Sequence, residues 1–282
     1  MTEYNIPVVG PGSQPEEVDG ADLSFMGMPA EMSTYSMPDV AESITTLSEA
    51  NEVLLQIQQL LDSYQQGGPV CVIELPVVDA DNSDLIDQVL GEGEVSIIFH
   101  AEKQIRIQES VLAGVWRVQY LGTKGDILKD TVEVGDIPAV VREMTFAGRH
   151  INKVIEKQEC PEGVGNAIPL LSELNDSIAV SDAAAEPYII NLTLLPQSDA
   201  DLEYLSKVLG KGRVTILSRG YGNCRVMSTG TYNVWWVQYF NSQDAIILNT
   251  LEVTPVPIVV CASMEDIIDS AQRLQEIREV YA

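Results

Sequence analysis

Apolar residues first fall into a helical rhythm after Thr46. Leu47, Ala50, Val53, Leu54, Ile57, Leu60 and Leu61 keep three-and-four spacing, and Gly67-Gly68-Pro69 stops the element. The run from Val70 to Leu75 predicts a strand, and a short helix over Asp79 to Leu90 follows, closed by Gly91. The same helix returns at Ser198 to Leu209, where Ser198 and Asp201 have capping-box spacing and Gly210 closes it. Four strands are then predicted over Val95 to Phe99, Ile105 to Gln108, Val115 to Tyr120 and Ile127 to Val134, with equivalents between Val214 and Val253. Strands this closely spaced, with no helix between them, pair antiparallel. Helices over about Arg142 to Lys157 and over Ser263 to Tyr281 follow the two sets. The second opens on a Ser263/Asp266 box and turns Ile267, Ala271, Leu274 and Ile277 to one face.

The two sets are one pattern repeated. Val115-Trp116-Arg117-Val118-Gln119-Tyr120 returns as Val234-Trp235-Trp236-Val237-Gln238-Tyr239, a spacing of 119 residues. The same spacing aligns Leu90-Gly91-Glu92-Gly93-Glu94-Val95 with Leu209-Gly210-Lys211-Gly212-Arg213-Val214, and Thr131, Glu133, Val134 and Pro138 with Thr250, Glu252, Val253 and Pro257. A period this long indicates tandem domains rather than a solenoid. Matched positions are mainly apolar, Gly or Pro, whereas His, Cys and most carboxylates do not recur, which favours a binding scaffold over an enzyme. The expected class is α+β with two tandem homologous domains, each a small antiparallel sheet with flanking helices. An extended arm spans 1–45, the first repeat 46–158, a linker around Cys160-Pro161-Glu162-Gly163 spans 159–166, and the second repeat 167–282. The arm is dense in Pro and Gly and carries Met26, Met28, Met32 and Met37 beside Phe25 and Tyr35. Methionine adapts to irregular apolar surfaces, so the arm is expected to dock on its own domains or to grip a partner.

Composition narrows the partners. The 282 residues suit two domains of ordinary size, and an apolar fraction of 45% supports a core in each. No uninterrupted apolar run approaches the roughly 20 residues that cross a bilayer, and Met1-Thr2-Glu3 lacks the basic start of a secretory signal. A cytoplasmic protein without stable membrane insertion is expected. Formal net charge is −26, and no Lys or Arg precedes Lys103. Such a field repels phosphates, so nucleic acid is a poor partner and a basic protein or peptide segment a better one. Acidity can equally serve solubility alone. Cys71, Cys160, Cys224 and Cys261 are far apart and form no C-x-x-C pair, and are read as reduced, mostly buried thiols.

Strand alternation puts Trp116, Val118 and Tyr120 on one face and Val115, Arg117 and Gln119 on the other, and likewise separates Trp235 from Trp236. Trp116 and Trp235 read as core anchors. Trp236, standing where the first copy has Arg117, is a candidate for contact. Gly220-Tyr221-Gly222-Asn223-Cys224 reads as a hairpin turn with a thiol and a phenol close together. The first copy has Ala101-Glu102-Lys103-Gln104-Ile105 there, so special chemistry would belong to the second copy. Gly91-x-Gly93 and Gly210-x-Gly212 lack the third glycine of a dinucleotide fingerprint and follow a helix rather than a strand. His100 and His150 have no Cys, Asp or Glu at ligand spacing, and no nucleophile elbow is present. Neither a catalytic set nor a cofactor or metal site is predicted.

Several segments resemble one family. They are Val8-Val9-Gly10-Pro11-Gly12-Ser13-Gln14-Pro15; Leu90 to Val95 with Ile107-Gln108-Glu109 and Trp116-Arg117-Val118; Ile190-Asn191-Leu192-Thr193 before Leu195-Pro196; Gly220-Tyr221-Gly222; and Glu265 to Leu274. Across nearly the whole chain, in order, they look like the HupH/HyaF hydrogenase expression proteins. The resemblance implies an accessory protein of [NiFe] uptake hydrogenase, acting in maturation of the small iron–sulfur subunit before export. Its implied partners are that subunit precursor and companion accessory proteins. Candidate partner-binding residues are Trp236, Arg117, Gly220, Tyr221, Gly222, Cys224, Met26, Met28 and Met32. The alternative is a metal or iron–sulfur cluster carrier in which Cys224 and Tyr221 meet a histidine or another cysteine.

Overall fold

A computed structural model of the protein describes residues 47–100, 104–148, 161–180, 186–220 and 222–281. The arm with Met26, Met28 and Met32, together with His150, Cys160, Tyr221 and most of the helix expected after Arg142, lies outside them. The first half runs α1 (Ser48–Ser63), β1 (Cys71–Glu74), α2 (Ala80–Leu90), β2 (Val95–Phe99), β3 (Ile105–Glu109), β4 (Val115–Leu121), β5 (Ile127–Val134) and a short α3 (Ala139–Met144). The second runs α4 (Ala167–Val180), β6 (Tyr188–Asn191), α5 (Asp199–Leu209), β7 (Lys211–Ser218), β8 (Asn223–Thr229), β9 (Val234–Phe240), β10 (Ile246–Val253) and α6 (Met264–Tyr281).

Among the described residues all strand pairings are antiparallel, and the class is α+β as expected. The two small sheets expected are joined, however, into one ten-stranded sheet of order β1-β5-β4-β3-β2-β7-β8-β9-β10-β6. The seam is the β2–β7 ladder, running from Val95 opposite Ser218 to Phe99 opposite Val214. Val95, Ile97 and Phe99 on one strand and Val214 and Ile216 on the other are all buried in the same apolar cluster. Joining the strands there removes two exposed edges and makes one apolar row of two. The outermost strands, β1 and β6, are counterparts in the two halves.

One face of the sheet is covered by helices. α1, α2 and α6 pack over Val115, Val132 and Val134, and α4 and α5 over Val234, Leu251 and Val253. The opposite face carries Trp116, Val118, Trp235 and Val237 beneath Val141, Phe146 and Val260. Both tryptophans are fully buried and keep their indole N–H satisfied in the same way: Trp116 donates to Gly135 O at 2.9 Å and Trp235 to Thr254 O at 3.1 Å. Phe146 meets the Trp235 ring edge-on at 5.4 Å, so a first-half residue anchors on a second-half one. A second crossing runs the other way. Ile267, Ala271, Leu274 and Ile277 of α6 belong to the first-half core, and Gln58 on α1 donates to Ala271 O at 3.1 Å.

Helix ends follow the sequence signals. The Asp79 side chain accepts the Asn82 N–H at the start of α2, and Ser198 and Asp201 form the reciprocal capping box of α5. Gly91 and Gly210 close the two helices with φ of 53° and 68°. The turn between β3 and β4 needs the same left-handed backbone, supplied by Gly114 at φ 79°, and its counterpart between β8 and β9 is Asn233 at φ 56°.

Candidate interaction surface

The register places one row of side chains across each half-sheet on the face away from the helices. In the first half, Glu109 lies opposite Trp116, Trp116 opposite Glu133, and Glu133 opposite Val72 on the outer strand. In the second, Ser228 lies opposite Trp235, Trp235 opposite Glu252, and Glu252 opposite Ile189. The rows begin in the interior and end at the sheet edge.

Glu109, Glu133 and Glu252 are all buried. Burial pushes the Glu109 carboxyl up to about 7, against bonds from the backbone N–H groups of Gly114 and Val95 that favour the charge. Burial also raises Glu133, opposed by the Ala139 N–H that it accepts at 2.9 Å at the start of α3. Glu252 is raised by burial as well, with the Thr250 hydroxyl donating to it at 3.3 Å. Each carboxylate therefore has a donor but sits in low dielectric, and Glu109 and Glu133 tie loop or helix backbone to the sheet.

The residues singled out from sequence occupy different places. Arg117 lies on the helix-covered face, ion-paired to Asp130 at 2.9 Å and to Asp87 of α2. Trp236 is half-buried on that same face, packed against the α4–α5 core, and its indole N–H donates to Asn249 Oδ1 at 2.6 Å. Asp130 and Asn249 are counterparts at the 119-residue spacing, so both pairs link the same two strands. Gly220 sits in the β7–β8 turn, where a Cβ would meet Glu94 Oε2 at 2.2 Å, and Gly222 follows at φ 95°. Cys224 is 1% exposed and on the other face of the sheet. Burial, with the nearby Glu252 charge adding, pushes its thiol up to about 12 despite a hydrogen bond from Tyr239. A protonated, enclosed thiol is a packing group rather than a ligand or nucleophile. Among the described residues no group of three or more His, Cys, Asp or Glu could hold a metal ion.

Sequence reasoning missed the exposed apolar residues at both ends of the sheet. Val72 on β1 is 51% exposed and its counterpart Ile189 on β6 is 54%. Five residues further on, Val77 and Leu194 are also exposed, as are Ile127 and Leu128 on β5 and their counterparts Ile246 and Ile247 on β10. Buried positions match because the fold requires it. Nothing in folding requires exposed ones to stay apolar in both halves, which marks them as candidate contact sites. The aligned repeats do bring Ile127 and Leu128 onto Ile246 and Ile247, but they put Val72 on Asn191, and its match to Ile189 emerges only from the strand register. No helix among the described residues is long and apolar enough to cross a membrane.

Comparison with known proteins settles the lineage. The profile described as "HupH hydrogenase expression protein, C-terminal conserved region" matches residues 47–146 and again 164–281. The chain belongs to the HupH hydrogenase expression protein family. It is 44% identical over 277 residues to the hydrogenase expression/formation protein HupQ of Azotobacter chroococcum mcd 1, covering 97% of this chain and 96% of that one. It is 44% identical over 281 residues to HoxQ of Cupriavidus necator, covering 98% of each. The hydrogenase-1 operon protein HyaF of Escherichia coli is 32% identical over 98% of this chain and 96% of its own. The two stretches matched by the HupH profile are the two halves that share the sheet.

Proposed function

We propose that this chain is a chaperone-like accessory protein in the cytoplasm that holds the small, iron–sulfur subunit precursor of a [NiFe] uptake hydrogenase before export, together with companion accessory proteins. Membership of a family of hydrogenase expression proteins supports the process. The observation that carries the holding role is the set of exposed apolar residues kept at matching places in both halves of a chain of net charge −26. Acidity attracts a basic region of the precursor from a distance, and apolar side chains complete the contact. The two halves read best as products of a duplication that kept a scaffold. The closed surroundings of Cys224 give no support to a metal or cluster carrier.

Co-purification from hydrogenase-producing cells at rising ionic strength tests the reading. Recovery of the small-subunit precursor, declining as salt rises, is the expected result. Recovery insensitive to salt removes the electrostatic part, and absence of the precursor at low salt removes the proposal.

A further inference from the structure

β6 is the last strand of the sheet, and among the described residues no strand pairs with its outer side. Open edges of this kind are commonly protected by lysine or proline, because unpaired N–H and C=O groups recruit another strand. Prolines flank both outer strands, Pro69 and Pro76 around β1 and Pro187 and Pro196 around β6, but the β1 edge also has Lys124 and Lys129 on the adjoining β4–β5 hairpin and its strand. At the 119-residue spacing those two lysines become Gln243 and Leu248. No Lys or Arg occurs at all over 158–206 or 226–272, the stretches that contain α4, β6, β9 and β10. Acidic groups do occur there. Glu186 precedes β6 and is exposed, and Glu173 on α4 accepts the Tyr188 hydroxyl. The outer strand itself exposes Ile189, opposite Glu252, and Leu194 is exposed five residues further along the chain.

We propose that the outer edge of β6 is a docking strand for an extended, basic segment of a partner protein with alternating apolar residues. Main-chain pairing supplies the affinity, Ile189 takes an apolar side chain of the incoming strand, and Glu173 and Glu186 attract the basic ones. Two other occupants fit poorly. A second copy would bring the same acids against themselves, and residues 1–46 of this chain hold no Lys or Arg. The proposal rests on the accessory role only for the existence of a partner, since the edge and its charge are properties of this chain.

Amide hydrogen exchange on the full chain, with and without a short synthetic peptide alternating valine and arginine, tests it. The peptide should slow exchange at 188–191, and its affinity should fall as salt rises. Ile189→Lys should weaken binding by at least about tenfold, whereas Val72→Lys, the same charge change at the opposite edge, should alter it by less than about twofold. An equal loss in both lysine variants would reduce the effect to general attraction to an acidic protein and overturn the proposal. So would equal binding of a peptide whose central valine is replaced by proline, or protection in the unliganded chain of the β6 amides that face away from β10. Thermal unfolding of the Ile189→Lys variant guards against misfolding, and Glu186→Lys at an exposed position gives a second reading of the same site. Failure of the peptide alongside recovery of the precursor from cells removes the docking strand and leaves the accessory role; the reverse pairing removes the role and leaves the strand.

Discussion

The two halves of the sheet place buried carboxylates at different points of one architecture, with opposite results. In the first half Glu109 occupies the position that Ser228 holds in the second. Ser228 Oγ accepts the Val214 N–H at 2.9 Å, and Glu109 accepts the corresponding N–H of Val95. In the second half Asp201 occupies the position of Asn82. Asn82 Oδ1 accepts the Ala50 N–H at 2.9 Å in the first turn of α1, and Asp201 Oδ1 accepts those of Gly165, Asn166 and Ala167 ahead of α4, each at 2.9 Å. Burial pushes both acids up. For Asp201 the Ser198 hydroxyl and several backbone donors overcome it and hold the carboxyl at about 2, whereas Glu109, with fewer donors, is left at about 7. Burial alone does not set the charge state; the number of N–H and O–H groups delivered by the fold does.

Removing the better-supplied acid should cost most. Asp201→Ala leaves four backbone donors, those of Gly165, Asn166, Ala167 and Ser198, without their carboxylate, and an equilibrium denaturation midpoint should show a loss of about 3–4 kcal/mol at pH 7. Asp201→Asn, which copies the first half, should lose less. Because the folded Asp201 pKa lies below the unfolded value near 3.8, its contribution is full above that pH and is lost as pH falls toward 2, and the Asn variant should be flatter across that window.

Glu109→Gln should act in the opposite sense. The folded carboxyl holds its proton up to about 7 while the unfolded one releases it near 4.5, so parent stability falls as pH rises between those values. The variant should therefore gain on the order of 3 kcal/mol over the parent at pH 8 and nearly nothing at pH 4. A pH series of denaturation curves for parent and variant reads this directly; a pH-independent difference would mean that Glu109 is not the group titrating.

Smaller effects probe the turns and the polar pairs. Gly114→Ala adds a Cβ 2.5 Å from Ile267 Cγ1 and forces a left-handed alanine, for an expected loss of about 2–3 kcal/mol in thermal unfolding. Asn233→Ala, at the matching turn, should lose only about 1 kcal/mol. Arg117→Leu breaks a partly buried ion pair and should cost about 1 kcal/mol, shrinking in high salt, while Trp236→Leu should show no such salt dependence.

Much of this fold is legible in the sequence because it is written locally. The α1 stripe, the caps of α2 and α5, the α6 box and the alternation of β4 and β9 all declare themselves within a few residues. α4 does not, since the group that caps its start, Asp201, lies on α5, more than thirty residues onward. β6 escapes for a related reason: four residues with exposed Tyr188 and Ile189 carry no alternation to read. The β2–β7 seam is equally silent, because side-chain pattern says which face a strand buries and nothing about which neighbour it takes. For the candidate surface, the tryptophan faces were readable, but the turn around Gly220 gave no hint that Cys224 would be sealed beside Tyr239 and Glu252. That closure depends on β8, β9 and β10 meeting in register.

The position of α6 has a consequence for biosynthesis. Its inward residues complete the core around α1, so a nascent chain that has emerged only as far as β5 still lacks one wall of its first layer. α1 must wait for residues 264–281 to clear the ribosome, and until then it presents a greasy stripe to whatever holdase stands nearby.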